Sequence, residues 1–320
     1  MKYRKIIRNI LRALLFLLVL HVSARYLGHV LYPREGVARG LPGDDRLCED
    51  YSAFYFGKEE QDSVDTVFIG SSHQFCSVDV NILNHEYGMN SILLATRSQN
   101  LKLSYYAIQE AIELQHPKTV VLETCAAVTC EEEPDTLAKT CFFDYMPNRS
   151  KTKWKAIQAT GDPPYLYYYP ITALHGNWGD VRLQDLKLPR RLEPGERYCY
   201  TYLITTPLPE WKIVSPDIKS ELREDAVRWL EKITELCLSN DMELILYTAP
   251  YPADEEEQAQ YNAIADFAEE KGLRYYNLMH EMDAIGLDPD CDFMDIGHLN
   301  RSGQQKLTHY LGRQHLVEGQ

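Results

Sequence analysis

A short apolar run that ends in a glycine and two serines is the feature that most constrains the fold of this chain. Residues 67–69 (VFI) are followed at once by the motif GSSH at residues 70–73. An apolar run bounded by turn residues is typical of a buried strand that ends in a tight turn. In open α/β sheets, sites are built at the carboxyl ends of the strands. Ser72 therefore lies where a nucleophile is useful, provided that a base reaches it.

Further apolar segments have the length and composition of buried strands, and helical patterns lie between them. We predict strands at residues 65–69, 91–95, 119–122, 244–247 and 273–277, and helices at residues 100–115, 215–239, 254–271 and 304–311. Strands that alternate with helices form parallel sheets. The chain is therefore predicted to be an α/β protein, a three-layer α/β/α sandwich around a five-stranded parallel sheet.

Residues 125–215 interrupt this alternation, because they show no clean periodicity and are rich in proline and aromatic residues. The segment is too long for a simple loop, so we predict an insertion with some structure of its own. Its tyrosines and tryptophans suit either a small core or a platform for sugar rings. The predicted organisation is a membrane segment at 1–32, a linker at 33–62 and one domain at 63–320 that contains the insertion.

The N-terminus carries the pattern of a membrane anchor. Five Lys and Arg residues, the last of them Arg12, precede an uncharged run that ends at Arg25. The run is short for a full span, but apolar residues resume at 26–31. Two interpretations are open: an uncleaved membrane helix, which we favour, and a signal peptide cleaved after residues 22–24. Both place the body outside the membrane, because the basic flank stays inside; a helix lying on the inner face is the minority alternative.

The charge distribution argues against nucleic acid as a partner. Residues 1–40 hold eight Lys and Arg against one acidic residue, whereas the rest of the chain holds 25 basic and 46 acidic residues. Phosphate backbones are bound by clustered Lys and Arg, so an acidic body fits uncharged glycans, cationic esters or small acyl donors better. The eight cysteines show no zinc-ligand spacing, and we expect no metal or other cofactor. Buried free thiols and one or two disulfides are both open.

A candidate base for Ser72 lies near the C-terminus, in the motif DIGH at residues 295–298. Serine catalysis needs a histidine base and a carboxylate that fixes the imidazole tautomer. Asp295 can hold one ring nitrogen of His298 while the other faces the serine. Alternatives stay open for each residue: Ser72 as a helix cap, His298 as a structural histidine, and Asp292 in place of Asp295.

The GSSH motif after the first strand and the Asp-x-x-His motif near the C-terminus together resemble the SGNH/GDSL hydrolase superfamily. The closer resemblance is to its membrane-anchored branch, which includes D-alanine transfer proteins and exopolysaccharide O-acetyltransferases. It implies a flavodoxin-like α/β/α fold with Ser72 as nucleophile, His298 as base and Asp295 orienting His298. It also implies an extracytoplasmic serine esterase or O-acyltransferase, anchored in the membrane, that acts on acyl esters of a cell-envelope glycan or polyol polymer. A membrane-bound acyltransferase is then a candidate partner.

The chain departs from the family pattern at the oxyanion hole. The family has a glycine after the second strand and an asparagine after the third, but this chain has ATRSQN at 95–100 and ETC at 123–125. Backbone N–H groups near Ser98 can serve instead. His175 and Asn177 in the insertion are further candidates for oxyanion or substrate contacts, and His175 equally fits a structural role. These departures support an alternative hypothesis, a non-catalytic glycan-binding or scaffold protein of envelope polymer assembly that keeps the fold.

Overall fold

The structure is a computed structural model that describes residues 2–31, 60–146, 148–181, 183–186, 203–314 and 316. Contacts divide the chain into an N-terminal unit, formed by Met1–Asp45 with Ile157–Arg190, and a sheet unit, formed by Arg46–Ala156 with Arg191–Gln320. Most of the predicted linker and the part of the insertion at 187–202 lie outside the described residues.

Five parallel strands form the sheet, which confirms the prediction of an α/β protein with a five-stranded parallel sheet. They are β1 (Thr66–Gly70), β2 (Ser91–Ala95), β3 (Thr119–Glu123), β4 (Glu243–Thr248) and β5 (Arg274–Asn277). Their order in the sheet is β2-β1-β3-β4-β5. β1 therefore has β2 on one side and β3 on the other, with Gly70 paired to Ala95 and Ile69 paired to Leu122. The carboxyl ends of these three strands meet next to Ser72.

The helices that the structure describes follow the chain from α1 to α13. They are α1 (Lys2–Val30), α2 (Ser72–Ser77), α3 (Val80–Glu86), α4 (Leu101–Gln115), α5 (Cys125–Thr129), α6 (Thr136–Tyr145), α7 (Lys151–Ala159), α8 (Tyr165–Tyr168), α9 (Ile171–Leu174), α10 (Glu224–Leu238), α11 (Glu255–Lys271), α12 (Met282–Ile285) and α13 (Arg301–Gln314). Short 3-10 helices lie at His175–Asp180, Leu183–Leu186 and Leu278–Glu281. The predicted insertion thus contains only short helices within its described part.

Both faces of the sheet are buried, as is usual for parallel strands. On one face, strand side chains such as Phe68, Val121 and Ile245 form a single apolar cluster with side chains of α2, α3 and α13. Strand residues alternate between faces, and the intervening Ile69 and Leu122 are buried as well. α4 contacts β1, α10 contacts β4, and these two helices contact each other. Apolar burial of this kind supplies most of the stabilisation of such a domain.

Side chains of α11 explain why one helix begins later than predicted. We predicted a helix from residue 215, where a serine–proline pair resembles a helix start, but α10 begins at Glu224. The backbone before it is bound by α11 instead. Gln258 Oε1 accepts a hydrogen bond from the Val214 N–H at 2.8 Å, and Asn262 Nδ2 donates to the carbonyls of Ser215 and Ile218 at 3.0 and 2.9 Å. These tertiary bonds outweigh the local preference for a helix.

The N-terminal unit contains the apolar helix that the sequence predicts. α1 is long enough and apolar enough to span a membrane over residues Tyr3–Gly28. Its side chains from residue 3 to residue 20 are all exposed, whereas residues further along the helix are partly covered. Cys76, Cys125 and Cys237, in the sheet unit, are buried free thiols.

Candidate active site

The structure brings Ser72, His298 and Asp295 together at the carboxyl end of β1. Nε2 of His298 lies 2.8 Å from Oγ of Ser72. Nδ1 of the same ring lies 2.9 and 3.1 Å from the two carboxylate oxygens of Asp295. All three distances are hydrogen-bond distances. When Nδ1–H donates to Asp295, the lone pair of Nε2 faces the Ser72 hydroxyl, which is the arrangement of a nucleophile with its base.

Ser72 is the first residue of α2, and its hydroxyl is not used to cap that helix. The N-cap is Ser71, whose Oγ accepts a hydrogen bond from the His73 N–H at 3.3 Å. The capping alternative for Ser72 is therefore wrong, because its neighbour has that role. The Ser72 side chain is only partly buried and can be reached by a substrate.

A glycine and a buried carboxyl lie beneath this turn. A Cβ atom at Gly70 would lie 2.8 Å from Cβ of Gln74 and 3.0 Å from Cβ of Glu123, so only glycine lets α2 begin this close to the sheet. Glu123 is fully buried, and its Oε1 accepts hydrogen bonds from the backbone N–H groups of Cys125 and Ala249 at 3.0 and 3.3 Å. Burial raises the pKa of Glu123 to about 8, although the two hydrogen bonds oppose the shift. The carboxyl is therefore mainly protonated at neutral pH.

Asp295 and His298 lie at the tip of a short hairpin, which we call the base hairpin (residues 293–299). Phe293 and Leu299 form an isolated antiparallel bridge that closes it. The Gly297 N–H donates to Oδ1 of Asp295 at 2.7 Å. Partial burial opposes ionisation of Asp295, but the hydrogen bonds from His298 and Gly297 outweigh it, so the pKa of Asp295 lies below its ordinary value. The carboxylate is therefore ionised at neutral pH and holds the imidazole in one tautomer.

α13 carries the base hairpin to Ser72. Asn300 caps α13 by accepting a hydrogen bond from the Ser302 N–H at 2.9 Å, and its Nδ2 donates to the Cys291 carbonyl at 2.7 Å. Gln304 Nε2 donates to the Phe75 carbonyl at 2.8 Å, which ties α13 to α2. β5 lies at the edge of the sheet, with β3 and β4 between it and β1. The docking of α13 on α2 therefore brings the two halves of the site together.

Asp292, the alternative to Asp295, is bound by other side-chain and backbone groups and has a structural role. Its side chain is fully buried. Its Oδ2 accepts hydrogen bonds from Nζ of Lys306 at 2.6 Å and from the Asp288 N–H at 2.7 Å. A Cβ atom at Gly303 would clash with the Asp292 carbonyl oxygen, so a glycine is required where α13 crosses this turn. Asp292 thus fastens the base of the hairpin, while Asp295 contacts the imidazole.

A second histidine and a tyrosine adjoin the site. The ring of His73 lies 4.9 Å from the ring of His298 and 4.7 Å, edge to face, from the ring of Tyr251. Burial, and next the neighbouring His298, lower the pKa of His73 to about 3, so this ring stays neutral. Tyr251 is not among the residues predicted from the sequence, although its position shortly after the end of β4 is a usable signal.

The last part of the predicted insertion also contacts the base hairpin. The Thr206 N–H donates to the Phe293 carbonyl at 2.8 Å, and its Oγ1 donates to the Met294 carbonyl at 2.7 Å. The Leu208 N–H donates to the Pro289 carbonyl at 3.0 Å. No motif in the sequence marks this contact, because backbone carbonyls carry no sequence signal. Residues 205–208 thus hold the hairpin together with the cap of α13, since Nδ2 of Asn300 also donates to Oγ1 of Thr205 at 3.3 Å.

Ser98 lies in the loop after β2, the strand that pairs with β1. Its φ angle is +50°, in the left-handed region that glycine adopts more readily. Gln99 is fully buried and fixes the loop, since its Oε1 accepts from the Thr96 N–H at 3.0 Å and its Nε2 donates to the Leu94 carbonyl at 3.3 Å. The loop is therefore rigid and sits at the end of the strand that neighbours β1.

His175 and Asn177 lie in the N-terminal unit, in the 3-10 helix His175–Asp180. The exposed His175 ring donates from Nδ1 to the Thr172 carbonyl at 3.0 Å. Among the residues that the structure describes, no group of three or more His, Cys, Asp or Glu could hold a metal ion. The candidate site that the structure describes consists of Ser72, His298 and Asp295, and Ser98 lies at the end of the neighbouring strand β2.

Comparison with known proteins assigns no family. No family model matches the chain, and no curated protein matches its sequence.

Proposed function

We propose that the chain is a serine-dependent ester hydrolase or O-acyltransferase, with Ser72 as nucleophile, His298 as base and Asp295 orienting His298. The observation that carries the proposal is the 2.8 Å contact between Oγ of Ser72 and Nε2 of His298, with the Asp295 carboxylate on the opposite ring nitrogen. These residues come from two stretches of sequence 226 positions apart. A chance meeting of a serine, a histidine and a carboxylate in this order is a poorer explanation than catalysis.

The geometry supports a two-step reaction. Oγ of Ser72 attacks the carbonyl carbon of an acyl ester while Nε2 of His298 takes its proton. The tetrahedral intermediate collapses, His298 returns the proton to the leaving alkoxide, and an acyl-serine remains. Water or a sugar or polyol hydroxyl then attacks the acyl carbon, gives its proton to His298, and Ser72 is regenerated with that proton. Asp295 stays ionised throughout and stabilises the imidazolium.

Backbone groups are the best candidates for the oxyanion hole. The backbone N–H of Ser72 makes no hydrogen bond among the residues that the structure describes. The loop at Ser98 follows β2, which pairs with β1, and its backbone can add a second donor. Donors need the right position and not a particular residue type, so the left-handed Ser98 can fill the place that glycine has in the family pattern.

The strand order supports assignment to the SGNH/GDSL superfamily. The order β2-β1-β3-β4-β5 is that of flavodoxin-like doubly wound sheets, in which ligands bind at the carboxyl ends of the strands. The nucleophile follows β1 and the Asp-x-x-His motif precedes the last helix, as in that family. Glu123 stands at the end of β3, close to where the family carries asparagine, and is its largest departure from the pattern.

α1 and the acidic charge of the rest of the chain support a cellular location and a substrate class. The basic residues before Arg12 favour an inner position for the N-terminus, so we place the sheet unit outside the membrane. An acylated cell-envelope glycan or polyol polymer is the substrate class that fits this location and the acidic body. A membrane-bound acyltransferase is the partner that transfer chemistry would require. Nucleic acid does not fit, given the net charge of −14.

A non-catalytic protein of envelope polymer assembly is the second candidate. It is favoured by the missing family residues after β2 and β3. In that case the three side chains persist as a structural relic, and Ser72 has no enhanced reactivity towards acyl or phosphonyl electrophiles.

A fluorophosphonate probe separates these candidates. The full chain in detergent should be labelled, and Ser72→Ala should abolish the labelling. Hydrolysis of p-nitrophenyl acetate should fall by at least about 10³-fold in Ser72→Ala, and by about 10²- to 10⁴-fold in Asp295→Asn, because the amide favours the wrong imidazole tautomer.

Ser71→Ala is the matched control, because it removes the hydroxyl next to Ser72, whose role is to cap α2. It should cost about 1 kcal/mol of stability and retain the label. Unlabelled wild-type protein, or equal labelling of wild type and Ser72→Ala, would show that the non-catalytic alternative is right.

A further inference from the structure

Part of the insertion packs along the outer half of α1, within the N-terminal unit. Nδ1 of His21 lies 3.0 Å from the Tyr169 hydroxyl, and the Tyr26 hydroxyl donates to the Leu186 carbonyl at 2.6 Å. Gly28 makes a still closer contact, since a Cβ atom there would lie 2.9 Å from the backbone nitrogen of Ile171. Small residues allow such close approach at helix interfaces in membranes. We call the described residues 165–181 and 183–186 the covering segment.

The length of α1 places this contact at membrane depth. The hydrocarbon core is about 30 Å thick and is crossed by about 20 helical residues, each rising about 1.5 Å. Only about 14 Å of helix separates Arg12 from His21, where the covering segment begins to contact α1. If Arg12 marks the inner boundary, the core extends to about residue 32, and if Lys5 marks it, to about residue 25. In both cases residues 21–25 lie within the hydrocarbon layer or at its edge.

The polar groups in this stretch have partners that suit such a position. His21 is the one ionisable residue between Arg12 and Arg25, and it is hydrogen-bonded to a tyrosine of the covering segment. The Arg25 guanidinium lies 5.9 Å from the centre of the Tyr168 ring, in cation–π contact. Polar side chains inside a membrane are usually paired in this way, and arginines near the ends of a span extend to the interface.

The covering segment exposes the side chains that membrane interfaces select. Tyr165, Tyr168 and Trp178 are exposed aromatic residues, and Leu183 and Leu186 are exposed aliphatic ones. Leu183 is 86% exposed. Exposed leucines together with tryptophan and tyrosine are costly in water, but tryptophan and tyrosine are enriched at the headgroup level of bilayers.

We propose that the covering segment is a second membrane-binding element, whose exposed aromatic and leucine side chains lie in the lipid interface of the leaflet at the C-terminal end of α1. The occupant of this surface is lipid. The contacts of the segment with α1 and its exposed aromatic and leucine side chains carry the proposal. It does not depend on the activity of Ser72.

Brominated lipids test the proposal, because bromine on an acyl chain quenches only tryptophan that touches it. The chain has four tryptophans, and α1 contains none of them. The full chain should be incorporated into nanodiscs of plain phosphatidylcholine and of phosphatidylcholine brominated at carbons 6 and 7 or 11 and 12. We expect quenching on the order of a quarter of the emission, one tryptophan of four, and greater with the shallow bromines.

Trp178→Phe should remove this quenching, whereas the matched Trp211→Phe should retain it. Leu183→Glu should weaken it, because a charge is unfavourable in the lipid interface. Leu183 is exposed, so the change leaves the packed part of the unit intact. Equal emission in plain and brominated discs, unchanged quenching in Trp178→Phe, or failure of the full chain to stay with the discs would overturn the proposal. A soluble partner or a glycan on this surface would leave Trp178 unquenched.

Discussion

Substituting Glu123 with glutamine tests whether the buried carboxyl beneath the turn at residues 70–73 is protonated. Glu123 is fully buried, and its Oε2 has no hydrogen-bond partner among the described residues. Burial raises its pKa to about 8 from an ordinary value of 4.5. Glutamine keeps the oxygen that accepts hydrogen bonds from Cys125 and Ala249, and it cannot ionise. It therefore reproduces the protonated side chain at every pH.

The pH dependence of stability follows from the raised pKa. The folded chain keeps the Glu123 proton up to about pH 8, while the unfolded chain releases it above pH 4.5. Between these values the folded state binds more protons, so the free energy of unfolding of the wild type falls as the pH rises. One pKa unit corresponds to about 1.4 kcal/mol. Between about pH 5.5 and pH 8, the wild type should therefore lose about 3 kcal/mol relative to Glu123→Gln.

Urea unfolding of the full chain in detergent micelles, followed by tryptophan fluorescence at several pH values, measures this difference. Glu123→Gln should be about 1.4 kcal/mol more stable than the wild type at pH 5.5, one unit above the unfolded pKa, and about 4 kcal/mol more stable at pH 8. Glu113→Gln is the matched control, because Glu113 is an exposed carboxylate on α4, and it should follow the wild type at every pH. A difference between wild type and Glu123→Gln that stays constant with pH would refute the buried protonated carboxyl.

Three further substitutions probe the surroundings of the triad. Gly303→Ala forces α13 away from the Asp292 carbonyl, so the free energy of unfolding should fall by about 1–3 kcal/mol and fluorophosphonate labelling should slow; unchanged labelling would argue against α13 as the carrier of the base hairpin. Ser98→Gly relieves a left-handed backbone and should raise the free energy of unfolding by up to about 1 kcal/mol, which is seen as a higher urea midpoint. A lower midpoint would mean that the serine side chain stabilises the loop. His73→Asn should leave the pH midpoint of labelling unchanged, because the pKa of His73 is about 3; a displaced midpoint would mean that His73 titrates with the site.

The sheet was predictable because fully buried parallel strands appear in the sequence as short apolar runs between turn residues. Each predicted strand bound lies within one residue of the observed one. The start of α10 was not predictable, because Gln258 and Asn262 bind the backbone of residues 214–218 through side chains that lie far along the chain. Tertiary hydrogen bonds of this kind override the local helix propensity, and the local sequence pattern does not indicate them.

The members of the candidate site were predictable as two local motifs, but the reason for their meeting was not. The bond from Gln304 to the Phe75 carbonyl, which docks α13 on α2, uses a polar residue that reads as an exposed helix position. Glu123 likewise reads as the polar end of a strand, although it is fully buried. Polar residues in buried positions are the ones that sequence periodicity places wrongly, because their partners are tertiary.

The two halves of the site differ in how firmly they are held, and this decides where a distant change would act. Ser72 follows a central strand and a close-packed glycine, so the sheet itself fixes the nucleophile. His298 is held by the base hairpin, which is fastened by the cap of α13 and by Thr206 in the last part of the predicted insertion. A change in the base hairpin would therefore move His298 relative to Ser72 without moving the sheet. Substitution of Thr206, whose Oγ1 donates to the Met294 carbonyl, would act on the position of His298 and leave Ser72 in place.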